Sequence, residues 1–187
     1  GVGSGGLSSY LLRAIGPTGS LTSFERRADF ADTAKQNVAA FMGHIPDNWS
    51  VLVGDLQEGV PPAVEIHGTI DRVILDMLAP WECIDAAHTL LRPGGVLCIY
   101  VATTTQLSRV AETLRITEKW TEPRSWEMLV RGWHLEGLSV RPEHRMVGHT
   151  GFLLTTRRLA GGVKPLTKRS KPAPGAYGPD WTPPELA

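Results

Sequence analysis

Three acidic side chains stand where a short run of β-forming residues ends, and they are the first candidates for chemistry. Glu25 closes the run that begins at Ser20, Asp55 follows Val53-Gly54, and Asp76 follows Ile74-Leu75. Ahead of them Gly1-Val2-Gly3-Ser4-Gly5-Gly6 fits the spacing G-x-G-x-x-G and leads into a helical pattern beginning at Leu7. Glycines let backbone approach a ligand closely, and the helix start adds unpaired N–H groups and a positive dipole end. Alone, such a run can be no more than a tight turn. A carboxylate 19 residues after Gly6, as Glu25 is, can accept both hydroxyls of a ribose. Asp55 can take the exocyclic amine of an adenine, with Leu56 packing on the ring or bonding it through its N–H. These features suit nicotinamide and adenosylmethionine cofactors alike, and each acid alone could be a surface residue. Three acids past successive strands are harder to assign to chance.

Those acids need elements to carry them. Helical spacing covers about 7–15 and stops at Gly16-Pro17, the helix-stop pairing. Strands are predicted at Ser20–Phe24, Trp49–Val53, Ile70–Leu75 and Val96–Ala102. Helices are predicted at about Arg27–Met42, Trp81–Leu91 and Gln106–Ile116, with Arg92-Pro93-Gly94-Gly95 as a breaker. Alternating strands and helices, with strands apolar throughout, imply an α/β fold with a mostly parallel sheet covered on both faces. Ligands of such doubly wound sheets bind at the carboxyl ends of the strands, where all three acids fall. Trp126–Trp133 and Gly151–Leu159 read as a closing antiparallel pair, separated by the basic stretch Arg141–Gly148. Residues 1–159 are thus one catalytic-type domain. Residues 160–187, with six prolines, four glycines and Lys164, Lys168, Arg169 and Lys171, read as a flexible basic tail.

The 187 residues carry 19 basic and 19 acidic groups, and 42% are hydrophobic, enough for a real core. The zero net charge hides a division: 5 Lys/Arg against 11 Asp/Glu in residues 1–91, and 14 against 8 in residues 92–187. An acidic half joined to a basic half is a partner signal. Cys83 and Cys98 lie in apolar runs without paired spacing, and read as reduced core residues of a cytosolic protein. No apolar run reaches the roughly 18 residues of a membrane helix, so no membrane partner is expected. His44, His67 and His88 read as structural or solvated. His134, His144 and His149, with Arg131, Arg141, Arg145, Arg157 and Arg158, could meet phosphate or a neighbouring subunit. The histidines lack ligand spacing, and no metal is expected.

The glycine loop, Glu25, Asp55, Asp76 and Leu90-Leu91-Arg92-Pro93-Gly94-Gly95 together resemble class I methyltransferases that use S-adenosylmethionine. More narrowly, Ser23-Phe24-Glu25-Arg26-Arg27-Ala28-Asp29-Phe30, Asp76-Met77-Leu78-Ala79-Pro80-Trp81-Glu82 and the stretch Arg141–Leu153 resemble the tRNA (adenine-58-N1)-methyltransferase family. The resemblance covers about residues 1–160. It implies a Rossmann-like catalytic domain, S-adenosyl-L-methionine as cofactor, tRNA as partner, a homo-tetramer and a cytoplasmic location. It also implies that Gly1, Gly3, Ser4, Gly5, Gly6 and Leu7 wrap the methionine and ribose, Glu25 holds the ribose, and Asp55 with Leu56 holds the adenine. Asp76 would face the target base as the catalytic residue, beside the cofactor. Pro80 and Trp81 would wall the base pocket, and Arg145 and His149 would touch RNA.

Family members carry a small β-rich domain and then a strand before the glycine loop, and this sequence begins after both. That strand would be the central one, flanked by the strands ending at Glu25 and Asp76. The expectation is that residues 1–187 alone are unstable or inactive. Two other functions fit parts of the pattern. An NAD-dependent oxidoreductase would use the glycine loop and Glu25, but leaves the Asp76–Trp81 run and the closing hairpin without a role. A catalytically inactive tRNA-binding subunit would have no need of all three acids.

Overall fold

The computed structural model describes residues 1–58, 60 and 70–166. His67, Lys168, Arg169 and Lys171, and most of the expected basic tail, lie outside them. The chain runs α1 (Gly6–Ile15), β1 (Leu21–Glu25), α2 (Ala28–Met42), β2 (Trp49–Val53) and β3 (Ile70–Asp76). A 3₁₀ turn (Pro80–Cys83) leads into α3 (Ile84–Leu90), β4 (Leu91–Val101) and α4 (Thr104–Ile116). Four short strands follow: β5 (Arg124–Trp126), β6 (Trp133–Glu136), β7 (Ser139–Pro142) and β8 (Phe152–Arg157).

Parallel pairs and an antiparallel closure are both present. β1 pairs with β2 in parallel, from Leu21 opposite Trp49 to Glu25 opposite Val53. β3 pairs in parallel with β4, and β8 runs antiparallel to both β4 and β5. β1 and β3 each pair on one side and share no ladder with each other, so their strands belong to separate sheets. Two apolar clusters match that division. One gathers Leu12, Ala34, Val38 and Trp49 between α1, α2 and the β1–β2 pair. The other gathers Leu75, Ile84, Leu91, Leu97, Ile99, Val110, Leu114 and Leu154, where α3 and α4 cover the larger sheet.

Several local expectations need correction. Among the described residues the larger sheet is fully covered on one face: Val73 and Leu75 are buried, whereas Ile74 between them is 38% exposed. Alternate side chains of a strand point to opposite faces, and α3 and α4 contribute to the cluster on one of them. The helix expected at Trp81–Leu91 divides, because Pro80 opens a tight 3₁₀ turn that becomes α-helix at Ile84. Arg92–Gly95 ends that helix as anticipated but lies within β4, as an irregularity between the Ile70–Leu91 and Arg72–Val96 pairs. Gly94 there has φ 77°, open to glycine at little cost.

The largest departure lies in residues 126–142. Of the expected strand Trp126–Trp133, Trp126 alone pairs with β8, as the end of β5, and Trp133 starts a separate hairpin whose second strand runs into the basic stretch. The hairpin turns on Gly137-Leu138, with Gly137 at φ 53°, the first-position glycine that two-residue turns favour. Cys83 and Cys98 are unpaired thiols, and burial raises the pKa of both. Among the described residues no helix is long and apolar enough to cross a membrane.

Candidate active site

The glycine loop bridges the two sheets at their carboxyl ends. Gly5 accepts φ 84° and donates its N–H to the Val2 carbonyl at 3.0 Å, closing the turn. A β-carbon on Gly5 would stand 2.8 Å from the Ala34 carbonyl oxygen, so α1 begins in direct contact with α2. The loop is tied again by Asn37, whose Nδ2 donates to the Ser4 carbonyl at 2.9 Å. No side chain caps α1, so its first N–H groups remain for a ligand.

Glu25 and Asp76 stand on either side of this loop, at the ends of β1 and β3. The N–H of Gly3 donates to Glu25 Oε2 at 3.2 Å, and that of Arg27 to Oε1 at 3.2 Å. Burial alone would raise the Glu25 pKa. The backbone N–H groups of Arg27, Gly3 and Val2 outweigh it and hold the carboxyl below its ordinary value. A β-carbon on Gly1 would lie 2.9 Å from Glu25 Oε2, so a side chain there would displace the carboxylate from its place beside the loop. The Asp76 carbonyl accepts from the Gly1 backbone nitrogen at 3.3 Å. Among the described residues, no hydrogen bond or ion pair engages the Asp76 carboxylate.

Together these groups line an open cleft of about 500 Å³, a volume suited to a nucleoside-sized ligand. Its walls are Gly1, Val2, Gly3, Ser4, Gly6, Leu7, Glu25, Arg27, Phe30, Asp76 and Met77. Most of the residues expected there are brought together. Arg27, Phe30 and Met77 were not singled out in the sequence. The guanidinium of Arg27 lies over the Phe30 ring, 3.6 Å from its centroid, and bonds Asp29 at 2.9 and 3.3 Å. The available signal was their closeness to Glu25 and Asp76 in the chain.

The other candidates lie outside the cleft walls. Asp55 sits at the exit of β2, where Arg26 pairs with its carboxylate and the Gln57 N–H donates to it at 3.3 Å. Burial pushes the Asp55 pKa up, and Arg26 together with the backbone N–H groups of Gln57 and Leu56 pulls it below the ordinary value. Leu56 is half-buried against the larger apolar cluster. Pro80 is fully buried, and Trp81 lies beneath the Arg109 guanidinium, 4.1 Å from its ring centroid. His149 contacts the Ala102 carbonyl through Nε2 at 2.7 Å and faces Glu127 at 3.6 Å, while Arg145 is exposed. Arg157 and Arg158 are engaged locally, bonding the carbonyls of Gly94 and Leu91.

Residues 1–140 match the family model described as tRNA methyltransferase complex GCD14 subunit. Over 160 residues the chain is 34% identical to the tRNA (adenine(58)-N(1))-methyltransferase TrmI of Thermus thermophilus, covering 84% of this chain and 59% of that protein. It is 26% identical over 177 residues to the tRNA (adenine(57)-N(1)/adenine(58)-N(1))-methyltransferase TrmI of Methanocaldococcus jannaschii, covering 84% and 62%. Among solved structures, an S-adenosylmethionine-dependent O-methyltransferase from Thermotoga maritima superposes with TM-score 0.74 at 28% identity, covering 86% of this chain and 57% of that one. The tRNA (m1A58) methyltransferase TrmI of Aquifex aeolicus shares the fold with TM-score 0.67 at 23% identity, covering 86% and 60%. The chain thus spans about three fifths of the length of these two TrmI relatives. With three quarters of its length matched, and the matched part carrying the whole cleft, the chain belongs to the tRNA methyltransferase GCD14 subunit family.

Proposed function

We propose that this chain is the catalytic domain of an S-adenosylmethionine-dependent methyltransferase that modifies N1 of adenine 58 in the T-loop of tRNA. The observation that carries the reading is the placing of Glu25 and Asp76 on two strand ends, with the glycine loop between them, in one cleft. The residues fit the cofactor: Gly1 and Gly3 present bare backbone to the cleft, Gly3 at the positive φ of 54° that favours glycine, and the ionised Glu25 suits ribose hydroxyls. S-adenosylmethionine, when bound, supplies an electrophilic methyl group on a sulfonium centre.

The protein's own part is orientation and charge. Glu25, held by two backbone N–H groups, accepts from the ribose hydroxyls. Gly3 to Leu7 offer backbone to the methionine portion, and Asp55 and Leu56 take the adenine end. The free carboxylate of Asp76 accepts an N–H of the target base's exocyclic amine, which turns N1 toward the methyl. Its negative charge offsets the positive charge that alkylation at N1 leaves on the base. The base must leave its stack to reach this depth. Arg145 contacts RNA phosphate, while His149 anchors that segment to the exit of β4. Pro80 and Trp81 support the base pocket from behind.

The membership of the chain in a methyltransferase family disfavours a nicotinamide oxidoreductase, and the unengaged Asp76 disfavours an inactive RNA-binding subunit. A homo-tetramer in the cytoplasm completes the proposal, supported by the unpaired thiols and by the apolar side chains of Met128, Val130, Leu135, Leu138 and Val147, all exposed. The deciding experiment is mass spectrometry of tRNA nucleosides from cells lacking the whole protein, complemented with wild type or Asp76→Ala. N1-methyladenosine at position 58 is expected to vanish and to return with wild type alone. Its persistence in the deletion strain would overturn the proposal.

A further inference from the structure

The loop Asp76–Ala79 carries the free carboxylate, yet its tip is poorly supported: Leu78 is 84% exposed. Among the described residues, one side chain from another element braces its backbone. Gln106, on the first turn of α4, donates from Nε2 to the Leu78 carbonyl oxygen at 3.2 Å. The other end of the same amide is fully committed. Its Oε1 accepts from the N–H groups of Ala102 and Thr103, at 3.2 and 3.1 Å, and from Thr103 Oγ1 at 3.1 Å. Three donors on the oxygen fix which way the amide points, so the NH₂ must face Leu78.

Capping does not require that NH₂. Thr103 and Gln106 form a reciprocal capping box, with the Gln106 N–H bonding Thr103 Oγ1 at 3.2 Å. Glutamate closes such a box as well as glutamine does. The amide therefore has a second use, tying the Asp76 loop to the exit of β4, whose Tyr100 is paired in register with Asp76. We propose that Gln106 is a positioning residue: it holds the Asp76–Ala79 loop so that the Asp76 carboxylate faces the target base. This inference rests on the reading of Asp76 given above.

The test uses the whole natural protein with Gln106→Glu and Gln106→Met. Glu keeps the capping acceptor and replaces the donor with an oxygen that repels the Leu78 carbonyl. Its melting temperature and cofactor Kd are expected to stay at wild-type values. Its kcat on tRNA is expected to fall on the order of tenfold or more, because small displacements of reacting groups are costly. Amide exchange in Met77–Trp81 is expected to quicken. Met loses the donor to Leu78 and the acceptor of the cap alike, so it should show the same fall in kcat with a lower melting temperature. Wild-type kcat in Gln106→Glu, with loss in Gln106→Met alone, would reduce Gln106 to a helix cap and overturn the proposal. Unchanged exchange in Met77–Trp81 would do the same. Absence of methyl transfer by the wild-type protein would sink the functional reading instead, and the exchange comparison would still decide whether Gln106 braces the loop.

Discussion

The N–H of Gly3 and the carboxylate of Glu25 are 3.2 Å apart, which joins the glycine loop to the end of β1 before any ligand arrives. The carboxylate is thus oriented by backbone it cannot displace. Glu25→Gln keeps the shape but loses the charge, and a hydrogen bond to a charged group contributes about 1.5–3 kcal/mol. Cofactor Kd should rise roughly tenfold to a hundredfold, measured by titration calorimetry. The pH dependence follows from the lowered pKa. The ionised form is present above the ordinary carboxylate range and is lost only as pH falls through the depressed value. Cofactor affinity attributable to Glu25 should therefore be flat at neutral pH and fall in the acid range, below where an ordinary glutamate titrates.

Gly5 and Gly6 are adjacent, but substitution should separate folding from binding. At Gly5, φ is 84° and a β-carbon would meet the Ala34 carbonyl at 2.8 Å. Gly5→Ala should cost about 1–3 kcal/mol from the backbone alone, with the clash added, and denaturant melts will show it. Gly6 needs no positive φ, and its nearest neighbour would be Ser4 Oγ at 3.8 Å. Gly6→Ala should leave stability unchanged or slightly raised, since alanine favours helix, while weakening the cofactor by placing a methyl in the cleft wall.

Much of this arrangement was legible in the sequence because it depends on short-range signals. Trp49–Val53 ends at a Gly-Asp, and Ile70–Asp76 at an acid, so strand ends and candidate acids could be read together. Thr103 and Gln106 follow a cap spacing that moves the start of α4 from Gln106 to Thr104. The rest depends on tertiary contact. Arg27 and Phe30 reach the cleft because the turn after β1 folds the start of α2 back beside Glu25. The Arg26–Asp55 pair joins two strand exits that sequence separation alone could not place together. The strand expected over Trp126–Trp133 does not form beyond Trp126, because Met128, Leu129 and Val130 are exposed and meet no core.

Arg26 and Asp55 supply a second titration. Arg26→Ala removes the cation whose hydrogen bond and charge pull the Asp55 pKa down against the effect of burial. Asp55 should then titrate at a higher pH, toward or above the ordinary aspartate range, which carboxyl-carbon NMR will read directly. In wild type, the pair's contribution to stability is present above the ordinary range and lost as pH falls through the depressed pKa; in the variant this acid-range loss should shrink to what the Gln57 and Leu56 N–H groups sustain. The exposed position of Arg26 keeps the effect on stability at neutral pH small.

The β6–β7 hairpin makes the last prediction, because its apolar residues have nothing to bury them within the described chain. Leu138 at the turn is fully exposed, and Leu135 and Val140 beside it are 72% and 58% exposed. A two-stranded hairpin is marginal in water unless it packs on something, and contiguous exposed apolar surface marks association. If copies of the chain cover it, Leu135→Lys with Val140→Glu should lower the mass of the whole protein in light scattering from that of a tetramer toward a smaller species. The cleft lies on other strands, so cofactor Kd should be unchanged by the pair of substitutions. A wild-type protein that scatters as a monomer, or a variant that keeps the full assembly, would remove the hairpin from the interface.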